Sequence, residues 1–347
     1  MTTPEAAAAG CFGKSATITG TAGKDRIRGT SRGDVIASLD GNDFVAGRRG
    51  NDLFCLGKGN DLGRGQDGKD RFNGGAGADG IGGDAGNDLL VGGGGGDGLY
   101  GGSGADRLKA GGGTFEILNG GPDNDLLLGG GGQDLMLGLS GNDRLNGGGT
   151  TLDVASFFFS PAGVNANLGT GVATGEGNDV LVGVEALEGS PANDTFVGTE
   201  GEDFFWDYLG DDVMDGAGGR DLVTFFNSQA PVTADLSTDS ATGQGTDSIP
   251  NIEDLAGTEL AGDSLTGDSA PNFIAGLSGD DSLTGAEGDD ELDGFDGTDT
   301  GNGGPHVAGD LCVSIEVPTD CETFARVDDR RRAARTLLGF RSASWHR

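Results

Sequence analysis

Gly47-Arg48-Arg49-Gly50-Asn51-Asp52-Leu53-Phe54-Cys55 is one of ten consecutive nine-residue units in a 347-residue chain. The sixth position of these units is aspartate throughout: Asp25, Asp34, Asp43, Asp52, Asp61, Asp70, Asp79, Asp88, Asp97 and Asp106. The fourth position is glycine in nine of the ten, Arg32 being the exception. The eighth is apolar in nine (Ile27, Ile36, Val45, Phe54, Phe72, Ile81, Leu90, Leu99, Leu108), and Gly63 breaks the row. A short fixed period of this kind marks a stack of identical small units, none of which buries enough surface to fold alone. A disordered glycine-rich tract has no such register and no regular apolar positions.

Each unit has two halves. The Gly-Gly-x-Gly-x-Asp half is a turn, in which glycine supplies positive φ and lets backbone carbonyls crowd together. The x-apolar-x half is a three-residue strand that buries one side chain. Two units make one coil, and coils pair through parallel strands about 4.8 Å apart. The apolar positions then form an internal ladder. Stacking also gathers aspartate carboxylates and turn carbonyls from neighbouring coils, a hard-oxygen donor set that suits Ca²⁺ better than Mg²⁺, Zn²⁺ or copper.

The pattern G-G-x-G-x-D-x-U-x resembles the RTX, or hemolysin-type, calcium-binding nonapeptide. That resemblance implies an all-β chain folded as a right-handed parallel β-roll. It also implies calcium held between adjacent turns by the sixth-position aspartates and glycine-turn carbonyls. The expected cofactor is therefore Ca²⁺, in several copies.

Charge fits this expectation. The net charge is −34, and the last 26 residues carry seven arginines against three acids, leaving −38 on the rest. Without cations the compact chain would repel itself, so metal binding and folding are expected to be one event. With 73 glycines and 6% aromatics, coil stacking and ions must replace a large core. Strong acidity argues against nucleic acid or an anionic membrane as partner of the main body. No apolar run reaches the ~18 residues of a membrane-spanning helix.

The four cysteines fall in two neighbourhoods, Cys11 with Cys55 and Cys312 with Cys321. Three connectivities are open, and pairing within each neighbourhood would staple an end of the array in an oxidising compartment; free thiols are the alternative. Met1–Gly10 (MTTPEAAAAG) reads as the end of a secretory leader without its apolar middle, or as a flexible arm.

The first roll tract is expected over 20–152, after a leader remnant and cap over 1–19. Its one irregularity is the ten-residue unit Ala110–Asn119, with Glu116 in place of aspartate; register resumes at Asp125, Asp134 and Asp143. A segment richer in Val, Phe and Thr follows, and it is duplicated. A shift of 68 residues lays Asp153 on Asp221, Phe157 on Phe225 and Asp179 on Asp247, with 17 identities in 37 positions. Alternation and a Gly/Thr turn read as a β-hairpin in each copy, giving insert 1 over 153–188 and insert 2 over 222–257. Similar hairpin inserts often separate RTX tracts. The second tract (189–221) carries Asp194, Asp203, Asp212 and Asp221; the third (258–308) carries Asp263, Asp281, Asp290 and Asp299, with Asn272 replacing one aspartate. The expected architecture is three roll tracts and two hairpin inserts, elongated and almost wholly β. A cysteine-containing cap with a basic tail (309–347) ends the chain, and Arg330–Arg332 with Leu337, Leu338 and Phe340 could form a short helix or stay solvated.

A catalytic centre is hard to assemble. Histidine occurs only at His306 and His346, so no His-Glu-x-x-His motif exists. Gly29-Thr30-Ser31-Arg32-Gly33 matches a nucleophile-elbow pattern, and Arg32-Gly33-Asp34 an adhesion tripeptide, but both lie inside the nonapeptide register. The expected function is that of a secreted, extracellular, monomeric calcium-binding protein without enzymatic activity, whose metal ligands are the twenty-one sixth-position aspartates named above. Two alternatives stand beside it: a cell-surface adhesion module using the inserts or the arginine-rich tail, and a component of an RTX-type extracellular enzyme. The arginine-rich, cysteine-preceded tail differs from the usual type I export signal of RTX proteins and resembles the Cys-flanked calcium-binding proteins of actinobacteria, which implies Sec-type export.

Overall fold

The structure is a computed structural model that describes residues 10–149, 151–305 and 309–321. The expectations for the N-terminal leader, His306, His346 and the tail after Cys321 lie outside the described residues. The chain forms two compact units, one reaching to Ser156 and including Val172–Val184, the other made of Phe157–Gly171 and the residues from Glu185 on. Both are parallel β-roll; a single 3₁₀ turn, Leu236–Thr238, is the one helical element among the described residues. No described helix is long and apolar enough to cross a membrane.

In the first unit the register is two nonapeptides per coil. Arg26 pairs with Phe44, Leu53 with Arg71, and Leu89 with Arg107, each eighteen residues on and each parallel. The eighth-position side chains Ile36, Val45, Phe54, Phe72, Ile81, Leu90, Leu99 and Leu108 are buried to within 1% of full exclusion. Phe54 and Phe72 stack at 3.9 Å between ring centroids. The gap at Gly63 is not a void, because a side chain there would press on Phe72 and Leu56, which already fill the space. Leu56 occupies a first position normally given to glycine and is fully buried. The ten-residue unit is absorbed as a bulge between Gly112 and Phe115: before it Leu108 pairs with Leu127, and after it Leu118 pairs with Met136.

Each duplicated segment carries antiparallel pairings. In the first unit Val172–Thr174 runs antiparallel to Asn178–Val182, while Arg144–Asn146 pairs with Asn178–Val182 in the parallel sense of the roll. In the second, Thr233–Asp235, Ser240–Thr242 and Thr246–Ser248 form a three-stranded antiparallel meander. Its first strand also pairs parallel with Ser264–Thr266. The roll of the second unit is lined by Phe196, Phe205, Met214, Val223, Leu265, Ile274, Leu283 and Leu292, all buried. Parallel pairing continues to Val317–Thr319.

Disulfides join Cys11 to Cys55 and Cys312 to Cys321, so both local pairs form. The first ties the antiparallel end strands Gly10–Cys11 and Lys14–Ser15 to the third coil, and Arg71 lies over the Phe12 ring at 4.4 Å. Such end closure protects the exposed strand edge that every solenoid presents.

Candidate metal centre

The sixth-position aspartates form hydrogen-bonded files along the coils. Asp34 N–H donates to Asp52 Oδ1 (2.7 Å), Asp52 N–H to Asp70 Oδ1 (2.7 Å), Asp70 N–H to Asp88 Oδ1 (2.7 Å) and Asp88 N–H to Asp106 Oδ1 (2.6 Å). This file runs on through Asp125 and Asp143. A second file links Asp25, Asp43, Asp61, Asp79 and Asp97 in the same way. In the other unit the bond joins Asp194 to Asp212, Asp203 to Asp221, and Asp263 to Asp281 and Asp299. Asn272 keeps it toward Asp290.

Each bond uses one carboxylate oxygen. The other is buried and has no hydrogen-bond partner in Asp43, Asp52, Asp61, Asp70, Asp79, Asp88, Asp97, Asp106, Asp125, Asp143, Asp221, Asp281, Asp290 and Asp299. Asp134 and Glu116 leave both oxygens so. Apart from those of Asp43 and Asp61, whose units begin with Ser38 and Leu56, these oxygens point at a glycine turn. A Cβ added at Gly65 would overlap Asp70 Oδ2 and stand 2.7 Å from the Gly83 carbonyl oxygen. At Gly74 it would lie 2.6 Å from Asp79 Oδ2 and 2.5 Å from the Gly92 carbonyl. At these positions a carboxylate and a carbonyl of the next coil therefore share a niche that a Cβ would fill. A buried, unpartnered anion is costly unless something neutralises it. An all-oxygen donor set with repeated negative charge fits Ca²⁺.

Electrostatics show the same stress. Burial, with help from like charges in the file, pushes the Asp70, Asp79, Asp106 and Asp125 carboxyls up to about 7. Burial does the same to Asp221, Asp281 and Asp290, also to about 7. Asp134, buried and beside Glu116, is pushed to about 9.

The remaining predicted ligands are held differently. Asp25 Oδ2 accepts from Thr21 N–H (2.6 Å) and Thr21 Oγ1 (3.0 Å), and Asp34 Oδ2 from the same atoms of Thr30 (2.7 and 3.0 Å). Ser190 closes Asp194 Oδ2 at 2.6 Å, Thr199 closes Asp203 and Thr258 closes Asp263. The signal is visible in sequence: in the first four, the second position is Thr or Ser, which no unit with a bare Oδ2 has there. Asp212 belongs to neither set, since it lies beside Asp207 and Asp247.

Several acids outside the predicted list occupy places in the files. Asp143 N–H donates to Asp179 Oδ1 (2.8 Å), Asp134 N–H to Asp153 Oδ1 (2.9 Å), and Asp290 N–H to Asp310 Oδ1 (2.9 Å). Glu253 and Glu316 accept from Asp221 and Asp299. Asp179 was findable, because it stands four nonapeptides after Asp143. The adhesion-like Asp34 is 7% exposed and committed to Thr30, so the tripeptide is not displayed.

No curated protein matches the chain. A family model, the RTX calcium-binding nonapeptide repeat, matches in overlapping copies at residues 19–54, 28–62, 56–90, 82–114 and 110–145, and again at 188–223 and 275–305. These matches cover more than half of the chain. It belongs to the RTX calcium-binding nonapeptide repeat family, whose repeats bind multiple Ca²⁺ ions.

Proposed function

We propose that this is a secreted, non-enzymatic protein whose roll closes when calcium enters the aspartate files. The observation that carries the reading is the periodic row of buried carboxylate oxygens without partners. In the ion-free chain these anions oppose folding, and where calcium is plentiful they become its ligands. The ions are held by the carboxylates whose Oδ2 has no hydrogen-bond partner, such as Asp52, Asp70, Asp88 and Asp106. The Thr- and Ser-closed Asp25, Asp34, Asp194, Asp203 and Asp263 cap their own turns instead. Two disulfides favour an oxidising, extracellular setting. A ladder of equivalent acids, rather than one pair facing a cleft, favours ion holding over acid–base catalysis.

Equilibrium dialysis against calcium tests this assignment. Asp70→Asn is expected to lower the number of bound ions, and Asp34→Asn to leave it unchanged. Equal loss from both would refute the division. A surface-binding role is favoured by one observation: Leu62 and Tyr100 are 56% and 49% exposed beside the glycine floor Gly80 and Gly82. Undiminished attachment to cells by a Leu62→Ser, Tyr100→Ser variant would remove that support.

A further inference from the structure

Asp207 breaks the nonapeptide rule. It occupies the first position of its unit, five residues before Asp212, where the repeat normally has glycine. In the first unit the corresponding residue is Gly138, whose added Cβ would lie 2.6 Å from Asp143 Oδ2. Asp207 therefore adds a carboxylate, beside those of Asp212 and Asp247, where the repeat elsewhere has only the hydrogen atom of glycine.

Carboxylate oxygens of Asp207, Asp212 and Asp247 all lie within 4.8 Å of one another. The three residues are 3%, 3% and 4% exposed. Backbone groups fix two of them: Asp194 N–H donates to Asp212 Oδ1 (2.7 Å), and Asp212 N–H to Asp247 Oδ1 (3.1 Å). Asp207 is fixed by its own N–H, which donates to the Thr224 carbonyl at 3.0 Å. Its side-chain Oδ1 is buried with no hydrogen-bond partner. The charged groups acting on Asp207 are Asp247, Asp212 and Asp194, all acidic. Three buried carboxylates with no cationic neighbour demand a counter-ion of high charge.

We propose that Asp207, Asp212 and Asp247 form a separate three-carboxylate site for a hard divalent cation, Ca²⁺ by its donor chemistry, distinct from the aspartate–carbonyl sites of the repeat. Asp247 comes from the antiparallel meander and Asp207 and Asp212 from the roll, so one ion ties that meander to its coil. Three formal charges make it a tighter site than a repeat niche, because affinity for calcium rises with ligand charge count. The site adds to the calcium reading and can fail without it.

Trp206, adjacent in sequence to Asp207, provides the assay, since a nearby indole sensitises Tb³⁺ emission. The chain has two tryptophans, so the Trp345→Phe background leaves Trp206 as the sole donor. In the full-length protein, tryptophan-excited Tb³⁺ emission is expected, and excess Ca²⁺ should remove it. Asp207→Asn is expected to weaken Tb³⁺ binding at this site by at least about tenfold, as loss of one of three charges requires. Asp207→Gly, which restores the repeat glycine, should do the same if the asparagine variant folds poorly. Bound calcium, counted by dialysis, should fall by one ion in Asp207→Asn, with the calcium-loaded circular dichroism spectrum unchanged, whereas Asp207→Gly recreates a repeat niche and should keep the ion at lower affinity. No calcium-displaceable emission in the Trp345→Phe background overturns the proposal. So does an unchanged ion count and unchanged Tb³⁺ affinity in Asp207→Asn, the outcome expected if the three carboxyls share protons alone; where that variant does not fold, unchanged Tb³⁺ affinity in Asp207→Gly does the same. A chain that binds no calcium at all would instead refute the repeat reading.

Discussion

Acid should substitute for calcium. In the first unit Asp70, Asp79, Asp106 and Asp125 each have a folded-state carboxyl near 7 against an ordinary value of 3.8, chiefly through burial. The folded pKa values lie above the unfolded ones. The contribution is therefore fully present below about pH 4 and is lost as pH rises through about 7. Between those limits each group lowers the stability of the ion-free fold by up to about 1.4 kcal/mol per pH unit. Solvent screening and coupling within the file reduce this to roughly 1–2 kcal/mol per group. Four such groups then change stability by roughly 4–8 kcal/mol, comparable to the whole stability of an ordinary domain. Chelator-stripped protein should accordingly be unfolded at about pH 8 and gain β structure as pH falls toward about 5, followed by far-UV circular dichroism. With calcium present the dependence should reverse: the ion must displace those protons, so the calcium midpoint should rise as pH falls. A stripped chain that is more structured at pH 8 than at pH 5 would refute the burial argument.

Further outcomes follow from individual positions. Gly59 has φ +125° and its added Cβ would collide with the Gly41 carbonyl, so Gly59→Ala should cost at least about 2 kcal/mol in calcium-loaded denaturant melts. Replacing Gln66, a non-glycine residue at φ +76°, by glycine should raise the melting point, relieving about 1 kcal/mol of left-handed strain. Removing the Cys11–Cys55 bridge by a double Ser substitution opens a loop spanning 44 residues and should cost about 4 kcal/mol, read from the same melts.

The roll itself was legible because its two periods are local. Nine-residue spacing fixes the turn, and the eighth position fixes the ladder, so the buried file from Ile36 to Leu108 could be written from sequence. What escaped was compensation between positions. Gly63 reads as a defect, yet Leu56 and Phe72 meet across it, a contact made only when coils stack. The ten-residue unit reads as an interruption, yet one bulge absorbs it. At the metal centre, spacing located every sixth-position carboxylate but could not sort them. Sorting depends on whether the second position is Thr or Ser, which closes Oδ2, or a residue such as Arg48, Gln66 or Gly75, which leaves it bare. Asp179 and Asp247 were seen as a repeated pair, but their places in the files depend on how far the antiparallel strands displace the register. Asp207 carried no periodic signal at all, because it departs from the pattern.

The central claim is that cations and fold are one equilibrium. Far-UV circular dichroism of chelator-stripped protein during calcium titration at neutral pH, with magnesium as control, tests it most directly. The account predicts a cooperative change from coil to β with calcium and little change with magnesium, whose smaller ion demands a stricter octahedron and gives up water reluctantly. A full β spectrum in chelator that calcium leaves unaltered would contradict it, as would a coil spectrum that persists in saturating calcium.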